Sequence, residues 1–364
     1  MTDPLAHLNI SLAGVNPTVA PQGKRRYLLK YIAPNEFALQ IDNSSLEVFN
    51  TCPRSAEYQL VHARGAPPSP PLTYGGGVHD GLEYWYKNQG DATSPSTLED
   101  VIRDSIRASE HSFEQNPIPL GEWRTADKCS DTLQRYFKHY GTKEPFELLK
   151  DADGNSAVEI PFSLPLGVIE QAEIVTTDYT FADIVDPDTY SHPSTAKVAF
   201  SKIHVYWTGK MDLAARMDGA NWIIDHKTTS MLGPSFYRHF ELSGQTIGYT
   251  WAGEQIFGEK FAGLMVNVIV GRKPTKSGVG CTFERQRFYY RQDQVDEWAD
   301  NTLTLCSDFI ACLARDNFPM SVSWCMGKYG ACKYHDVCTL PKDQRHFMLN
   351  SDQYADNTWT PLHK

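Results

Sequence analysis

A β-hairpin in the second half of the chain sets the framework for any fold that this sequence can adopt. Residues 204–217 (HVYWTGKMDLAARM) and 221–229 (NWIIDHKTT) are two strand-like runs, joined at Asp218-Gly219. Both turn residues tolerate positive φ, which a tight hairpin turn requires. Residues 262–270 (AGLMVNVIV) are a continuous apolar run, typical of a buried central strand. Helical patterns lie around these strands, so the sequence predicts a mixed α/β fold.

Composition is that of a folded protein. The chain has 364 residues, of which 41% are hydrophobic and 21% charged, outside the disordered classes. A net charge of -10 argues against nonspecific coating of nucleic acid but is compatible with a local basic groove. No apolar run approaches the roughly 18 residues of a membrane span, and the N-terminus lacks the features of a signal peptide. We therefore expect a soluble, cytoplasmic protein.

Changes of pattern divide the chain into three parts. Residues 1–43 carry prolines and a basic stretch without a sustained period, which predicts an N-terminal extension. Residues 44–345 hold the hairpin and the stronger helical and strand patterns, which predicts one domain with a helical insertion at about 85–150. Residues 346–364 are expected to be a C-terminal tail.

Two acids and a lysine lie on the hairpin where their side chains can converge. Asp225 and Lys227 are two residues apart on one strand and share a face of the sheet, while Asp212 lies on the partner strand. Apolar neighbours make these acids costly to bury without a cation. Carboxylates that hold a divalent ion beside an ammonium group suit metal-assisted phosphodiester hydrolysis. The alternative is a surface cross-strand pair beside a turn.

The order of these motifs resembles the RecB-like exonuclease branch of the PD-(D/E)XK nuclease superfamily. That branch has a Gly-x-x-Asp strand, an acid-x-Lys strand and a Gln-x-x-x-Tyr helix in succession. The corresponding segments here are Gly209 to Asp212, Asp225 to Lys227, and Gln245 to Tyr249. The resemblance implies a restriction-endonuclease-like mixed central sheet flanked by helices. It also implies a metal-dependent DNA exonuclease that prefers single-stranded ends and acts in recombination, repair or replication.

The resemblance also implies a set of metal ligands. The branch carries a histidine on a helix after a glycine-rich turn, which matches His79 in GGGVHDGLEYW. His79, Asp212, Asp225 and the backbone carbonyl of His226 would bind one or two ions, Mg²⁺ or Mn²⁺, and the imidazole makes Mn²⁺ at least as suitable. Glu159 in AVEIPF resembles an acid that some members carry on an earlier strand.

Three further residues receive catalytic roles from the same resemblance. Lys227 would position the attacking water. Gln245 and Tyr249 lie one helical turn apart and would contact DNA near the scissile phosphate. Alternatively, Tyr249 is an ordinary core residue and Gln245 a surface residue.

Four cysteines predict a metal cluster that joins the N- and C-terminal segments. Cys325, Cys332 and Cys338 lie in WCMGKYGACKYHDVC, and Cys52 lies far upstream, before a proline. Four thiolates suit a 4Fe-4S cluster or a tetrahedral zinc ion. The resemblance favours 4Fe-4S, because CRISPR-associated and AddB-type members have one upstream and three C-terminal cysteines. Their C-x2-C-x5-C spacing differs from the six-residue first gap here, and zinc and unligated thiols are the alternatives.

Basic residues interleaved with aromatic ones lie between residues 271 and 291. Cations that neutralise phosphates beside rings that stack on bases are what single-stranded nucleic acid requires. The alternative is a solvated hairpin with an aromatic inner face. The predicted DNA contacts are Arg272, Lys273, Lys276, Arg285, Arg287 and Arg291.

Two other functions compete with a DNA exonuclease. A structure-specific endonuclease would use the same residues, and a catalytically inactive DNA-binding or assembly module would keep only the fold. Stand-alone proteins of this kind are often phage-encoded, which would place the protein in the host cytoplasm with a helicase or a replication or recombination partner.

Overall fold

A mixed sheet forms the centre of the structure, a computed structural model that describes residues 29–33, 36–88, 97–151, 153–176, 197–275, 280–315, 317–327 and 330–356. The strands in this part of the chain are β1 (Leu29–Ala33), β2 (Glu36–Ile41), β3 (Arg64–Gly65), β4 (Glu147–Leu148), β5 (Val158–Thr176), β6 (Lys197–Met217), β7 (Ala220–Thr229), β8 (Phe261–Gly271), β9 (Cys281–Tyr289), β10 (Met326–Gly327), β11 (Gly330–Ala331) and β12 (Ala355–Asp356). The main sheet has the order β1-β2-β6-β7-β8-β9, and β4 and β5 also pair with β6.

Helices cover both faces of this sheet. The α-helices in the described residues are α1 (Asn43–Thr51), α2 (Pro53–Ala56), α3 (Pro70–Asn88), α4 (Leu98–Gln115), α5 (Ala126–Tyr140), α6 (Pro234–Glu241), α7 (Gly244–Phe257), α8 (Gln292–Ala314), α9 (His335–Thr339) and α10 (Arg345–Leu349). One hydrophobic core lies between the sheet and α1, α7 and α8. A second core lies between the opposite face and α3 to α5. The mixed α/β fold with a flanked central sheet is thereby confirmed.

The predicted hairpin is present as β6 and β7. Five residue pairs join the strands, from Met217↔Ala220 to Leu213↔Ile224. Asp218 and Gly219 form the turn with φ angles of 52° and 78°. On the other side β7 runs parallel to β8, the apolar run predicted to be a central strand. None of the helices in the described residues is long and apolar enough to cross a membrane.

Three short strands lie in the segments that the sequence predicts as the N-terminal extension and the C-terminal tail. β1 and β2 lie within residues 1–43, yet β2 pairs in parallel with β6 inside the main sheet. β12 lies within residues 346–364 and pairs with β3. Apolar alternation over five or six residues is too short a signal to distinguish such strands from an extension. The division of the chain into domains stays a prediction.

Helix α3 begins at Pro70, earlier than the start near Gly77 that the glycine-rich turn suggests. The glycines are inside the helix, where they allow its close approach to neighbouring helices. A Cβ atom at Gly77 would lie 2.7 Å from the Phe113 ring, and one at Gly81 would lie 2.5 Å from Leu133. Tight packing on α4 and α5 therefore offsets the low helix propensity of glycine.

Candidate active site

The candidate site lies where β6 and β7 stop pairing. The pair farthest from the turn is Leu213↔Ile224. Asp212 comes just before Leu213 on β6, and Asp225 comes just after Ile224 on β7. The backbone N–H of His226 donates a hydrogen bond to Asp212 Oδ2 at 2.6 Å instead of to the backbone of β6. Both acids are buried, with exposed fractions of 7% for Asp212 and 2% for Asp225. We call this place, with Asp212, Asp225 and Lys227, the fork.

Three side chains at the fork are arranged as metal ligands. His79 on α3, Glu159 on β5 and Asp212 on β6 each offer a ligand atom within 4.8 Å of the others. His79 Nδ1 lies 3.5 Å from Asp212 Oδ1. Two carboxylates and one imidazole nitrogen, largely withdrawn from water, are a donor set that suits Mn²⁺ or Mg²⁺. These residues therefore fit a divalent cation.

The register of β5 explains how Glu159 reaches this group. Val158 pairs with Leu213 and Ile160 with Met211, so Glu159 lies beside Asp212 without a partner in the ladder. Its φ angle of 52° is unusual for a residue other than glycine. Strained backbone of this kind concentrates at functional sites. Glu159, the acid that the sequence suggested only by resemblance, is thus a member of the group.

Lys210 is a residue of the site that sequence reasoning missed. Its ammonium group forms an ion pair with the Glu159 carboxylate. Alternation along the strand could have indicated this residue, because Lys210 is two residues from Asp212 on β6 and residues at this spacing share a face of the sheet. Burial, together with the charge of Asp212, raises the pKa of Glu159 to about 7 against the opposing effect of Lys210. A proton therefore competes for this carboxylate near neutral pH.

Asp225 is paired with Lys227 and is not a member of the three-residue group. Lys227 Nζ lies 2.8 Å from Asp225 Oδ2 and donates to Oδ1 at 3.0 Å. Burial raises the pKa of Asp225 despite this partner, and the nearby Asp212 adds to the rise. Burial lowers the pKa of Lys227, but Asp225 and Asp212 outweigh it and the net shift is upward. The lysine therefore stays charged, and metal binding by Asp225 and the His226 carbonyl stays a prediction.

The charges of His79 and Asp212 stabilise each other. Burial disfavours the charged form of Asp212, but His79 beside it and the charge of Lys227 hold the pKa of this carboxyl well below its usual range. Burial likewise acts against charge on His79, and Asp212 more than offsets it, so the pKa of the imidazole is raised. Asp212 is thus ionised at neutral pH, as a metal ligand must be, whereas a protonated His79 must lose its proton when a metal binds.

Helix α7 brings the predicted Gln245 and Tyr249 to the acids. Gln245 Nε2 donates to the Tyr249 hydroxyl at 3.3 Å. Burial raises the pKa of Tyr249, and the charges of Asp225 and Asp212 raise it further. A Cβ at Gly209 would come within 2.9 Å of Phe162 and 3.3 Å of the Tyr249 ring. The glycine of the Gly-x-x-Asp motif therefore makes room for the tyrosine.

The four predicted cluster ligands lie in segments that contact one another at one end of the molecule, which we call the cysteine corner. The contacts are Ser321 N to Cys52 Sγ at 3.4 Å, Cys325 Sγ to Ser321 O at 3.9 Å, Cys332 Sγ to Ser55 Oγ at 3.9 Å, and Cys338 with Tyr58. Among the described residues, however, no three cysteine sulfurs lie within 4.8 Å of one another. The structure therefore does not support the 4Fe-4S cluster, since the sulfurs are not gathered as ligands.

The predicted DNA contacts do not form one strip. Arg272 and Lys273 are exposed after β8, whereas Lys276 lies outside the described residues. Arg285 is only partly exposed and is paired with Glu144 at 2.6 Å. The guanidinium donates its hydrogen bonds to groups inside the protein, because the Arg285 side chain extends from β9 towards α5. The last two predicted contacts have acidic partners, Arg287 with Asp218 and Arg291 with Asp293, each at 2.8 Å.

Two solved structures are similar to this one at low identity. A "Putative exonuclease" from Eubacterium rectale is 12% identical with a TM-score of 0.39, and the match covers 78% of this chain and 84% of that one. SSO0001 is 14% identical with a TM-score of 0.26, covering 76% and 78% of the two chains. With TM-scores below 0.5, neither carries a conclusion about activity. No curated protein sequence matches the chain.

A family comparison covers most of the chain. The model of the PD-(D/E)XK nuclease superfamily matches residues 43–339, a span that includes His79, the fork and α7. Nucleases of this superfamily use divalent metals, in agreement with the donor set of His79, Glu159 and Asp212. The chain belongs to the PD-(D/E)XK nuclease superfamily.

Proposed function

We propose that this protein is a divalent-metal-dependent DNA exonuclease of the RecB-like branch, which hydrolyses phosphodiester bonds and prefers single-stranded ends. One observation carries the proposal. The ligand atoms of His79, Glu159 and Asp212 lie within 4.8 Å of one another, next to the Asp225–Lys227 pair. Burying three carboxylates together is costly, and a divalent cation would offset the negative charge that Lys210 and Lys227 leave uncompensated.

His79, Glu159 and Asp212 would hold the ion, and Asp225 and the His226 carbonyl are proposed to complete its coordination. When bound, a divalent ion supplies a Lewis acid for the phosphate and lowers the pKa of a water molecule. Asp212 contributes an ionised carboxylate that also accepts the His226 N–H, so that the ligands on β6 and β7 are tied together.

Lys227 supplies the positive charge for the reaction. Its ammonium group is charged and held by Asp225, so it can donate a hydrogen bond to the attacking water or to a phosphate oxygen. The pair Gln245 and Tyr249 is proposed to contact the DNA backbone beside the scissile bond. The Asp225–Lys227 pair at the fork and the Gln245–Tyr249 pair on α7 support these roles.

The course of the DNA is proposed from the directions of two strands. β7 and β8 are parallel, and Thr229 pairs with Val270. A chain that passes Lys227 towards the end of β7 therefore reaches the loop after β8. Arg272 and Lys273 lie exposed in that loop, where they are placed to neutralise phosphates.

The 4Fe-4S cluster stays a prediction from the sequence. The segments of Cys52, Cys325, Cys332 and Cys338 meet at the cysteine corner, but their sulfurs are not gathered as ligands. Iron and sulfide analysis of protein purified without oxygen, with absorbance near ~400 nm, tests the prediction; a colourless, iron-free protein would refute it.

Digestion of labelled DNA tests the proposed activity. The substrates are linear single strands, linear duplexes and circular single strands, each incubated with Mn²⁺, with Mg²⁺ and with EDTA. We expect progressive loss of linear single strands that requires metal, with the circle intact. Cutting of the circle would indicate an endonuclease, and DNA binding without any cleavage would indicate an inactive module.

A further inference from the structure

Six polar side chains, four buried and two partly buried, form a network behind the fork, on the face of the sheet covered by α3 and α5. They come from five different elements and one loop. The members of this polar network are His226, Asn267, Arg285, Glu144, Tyr86 and Tyr136. The hydrogen bonds that join these side chains restrict their arrangement inside an otherwise apolar core.

His226 connects this network with the fork. Its backbone N–H donates to Asp212 Oδ2 at 2.6 Å, on the side of the metal ligands. Its side chain points to the opposite face of β7, because Asp225 and Lys227 on either side of it face the other way. The imidazole stacks on Tyr86 at 5.5 Å between ring centres and meets the His79 ring edge-on at 5.9 Å. A displacement of this ring would therefore disturb two of the metal ligands.

Asn267 on β8 fixes the orientation of the imidazole. Arg285 Nε donates to Asn267 Oδ1 at 3.1 Å, which turns the amide nitrogen away from the arginine. That nitrogen lies 2.8 Å from His226 Nδ1 and 2.8 Å from the Tyr136 hydroxyl. The amide donates to both, so Nδ1 accepts and the imidazole proton lies on Nε2, which has no hydrogen-bond partner among the described residues. Asn267 is completely buried and sits between the imidazole and the arginine.

Arg285 and Glu144 hold Asn267 in place. The guanidinium donates to the two carboxylate oxygens at 2.6 and 3.0 Å, a bidentate pair. It also donates to the Tyr136 hydroxyl at 3.1 Å and lies 3.6 Å from the centre of the Tyr140 ring. Bidentate arginine–carboxylate pairs are geometrically specific and are retained where orientation matters. The arginine that the sequence assigned to DNA thus has an internal role.

We propose that Asn267, held by Arg285 and Tyr136, is a positioning residue that sets the affinity of the fork for its divalent cation. It acts through His226, which orients Asp212 by a hydrogen bond and His79 by ring contact. The inference rests on the proposed metal-dependent function and adds the residues that hold the ligands in place. Partners behind metal ligands typically contribute about 10–100-fold to metal affinity.

Mn²⁺ binding measured by calorimetry on the full chain, without DNA, tests the inference. Asn267→Leu keeps the volume of the side chain and leaves the Arg285–Glu144 pair, and we expect it to weaken Mn²⁺ binding about 10–100-fold. Tyr136→Phe removes one support of the amide and should have a smaller effect in the same direction. The matched control is Tyr334→Phe, because Tyr334 and Tyr136 are both 1% exposed and both hydroxyls are hydrogen-bonded. It should bind Mn²⁺ like the wild type.

Melting temperatures separate positioning from folding. Wild-type Mn²⁺ affinity in a folded Asn267→Leu protein would overturn the inference, as would an equal loss of affinity in Tyr334→Phe. If Asn267→Leu does not fold, wild-type Mn²⁺ affinity in Tyr136→Phe would overturn the inference instead. A wild-type protein that binds Mn²⁺ but cuts no DNA would refute the proposed nuclease function and leave this inference intact. Metal-dependent cleavage with unchanged affinity in the variants would refute the inference alone.

Discussion

The fork and the cysteine corner both gather residues that are distant in the sequence, but only the fork places ligand atoms within 4.8 Å of one another among the described residues. The fork is built on a long helix and on paired strands of 10 to 21 residues. The cysteine corner is built on pieces of two to five residues, such as β10, β11 and α9. Long ladders fix side-chain positions through many cooperative hydrogen bonds, and short turns do so with few. A metal site here is thus specified by sheet register more than by motif spacing.

The largest effect is expected from removing the charge of a ligand at the fork. Asp212→Asn keeps the size of the side chain but loses the carboxylate that binds metal and pairs with His79. DNA cleavage should fall at least about 10³-fold in gel assays with Mn²⁺. Asp308→Asn, an exposed position on α8, is the control and should cut normally. Full activity in Asp212→Asn would show that the fork is not the active site.

A smaller loss of DNA cleavage is expected when the charge of Lys227 at the fork is removed. Lys227→Met removes the charge that is proposed to orient water or phosphate, and the cleavage rate at saturating Mn²⁺ should fall about 10²-fold. Mn²⁺ binding should persist, because His79, Glu159 and Asp212 remain. The exposed Lys260→Met serves as the control. Loss of metal binding together with activity would contradict a separate role for Lys227.

Metal affinity should rise with pH. The pKa of Glu159 is about 7, so a proton competes with the metal for this carboxylate around and below neutral pH. Glu159 alone predicts Mn²⁺ binding about tenfold tighter at pH 8 than at pH 6. The raised pKa of His79 should increase this ratio further, because a protonated imidazole cannot bind metal. Calorimetry at the two pH values measures this ratio. In Glu159→Gln the ratio should shrink, and an unchanged ratio would exclude Glu159 as the titrating ligand.

The smallest effect on catalysis is expected at the cysteine corner. If the four cysteines hold a cluster, Cys52→Ala removes its iron and lowers the melting temperature, since metal binding contributes to folding. Mn²⁺ affinity at the fork should stay within about twofold, because distant sites are nearly independent. Cys306→Ala, a buried cysteine outside the corner, controls for the lost packing. Equal melting temperatures in the two variants would argue against a cluster.

Local patterns were sufficient to predict the hairpin and most of the fork. Alternation placed Asp225 and Lys227 on one face, and helical spacing placed Gln245 beside Tyr249, as the structure has them. Local patterns could not place Glu159 in the site, because its position beside Asp212 depends on the register between β5 and β6. Register between strands far apart in sequence is set by packing over the whole sheet, which local spacing does not encode.

Arg285 shows where local reading fails. A basic residue among aromatic ones fits a nucleic-acid surface, but on β9 Arg285 has the same parity as Phe283, which packs against Tyr136 on α5. The alternation of side chains along β9 therefore indicates that Arg285 lies on the face of the sheet covered by α5. The buried partner, Glu144, lies 141 residues earlier in the chain and no spacing rule predicts it. Long-range pairs of this kind become visible only when the layers are assembled.

Anomalous diffraction from crystals grown with Mn²⁺ tests the central claim most directly. The data should show a manganese peak within coordination distance of His79 Nδ1, a Glu159 oxygen and an Asp212 oxygen, about 2.0–2.3 Å from each. A fully occupied ion elsewhere, with Glu159 still paired to Lys210 and no peak at the fork, would contradict the claim.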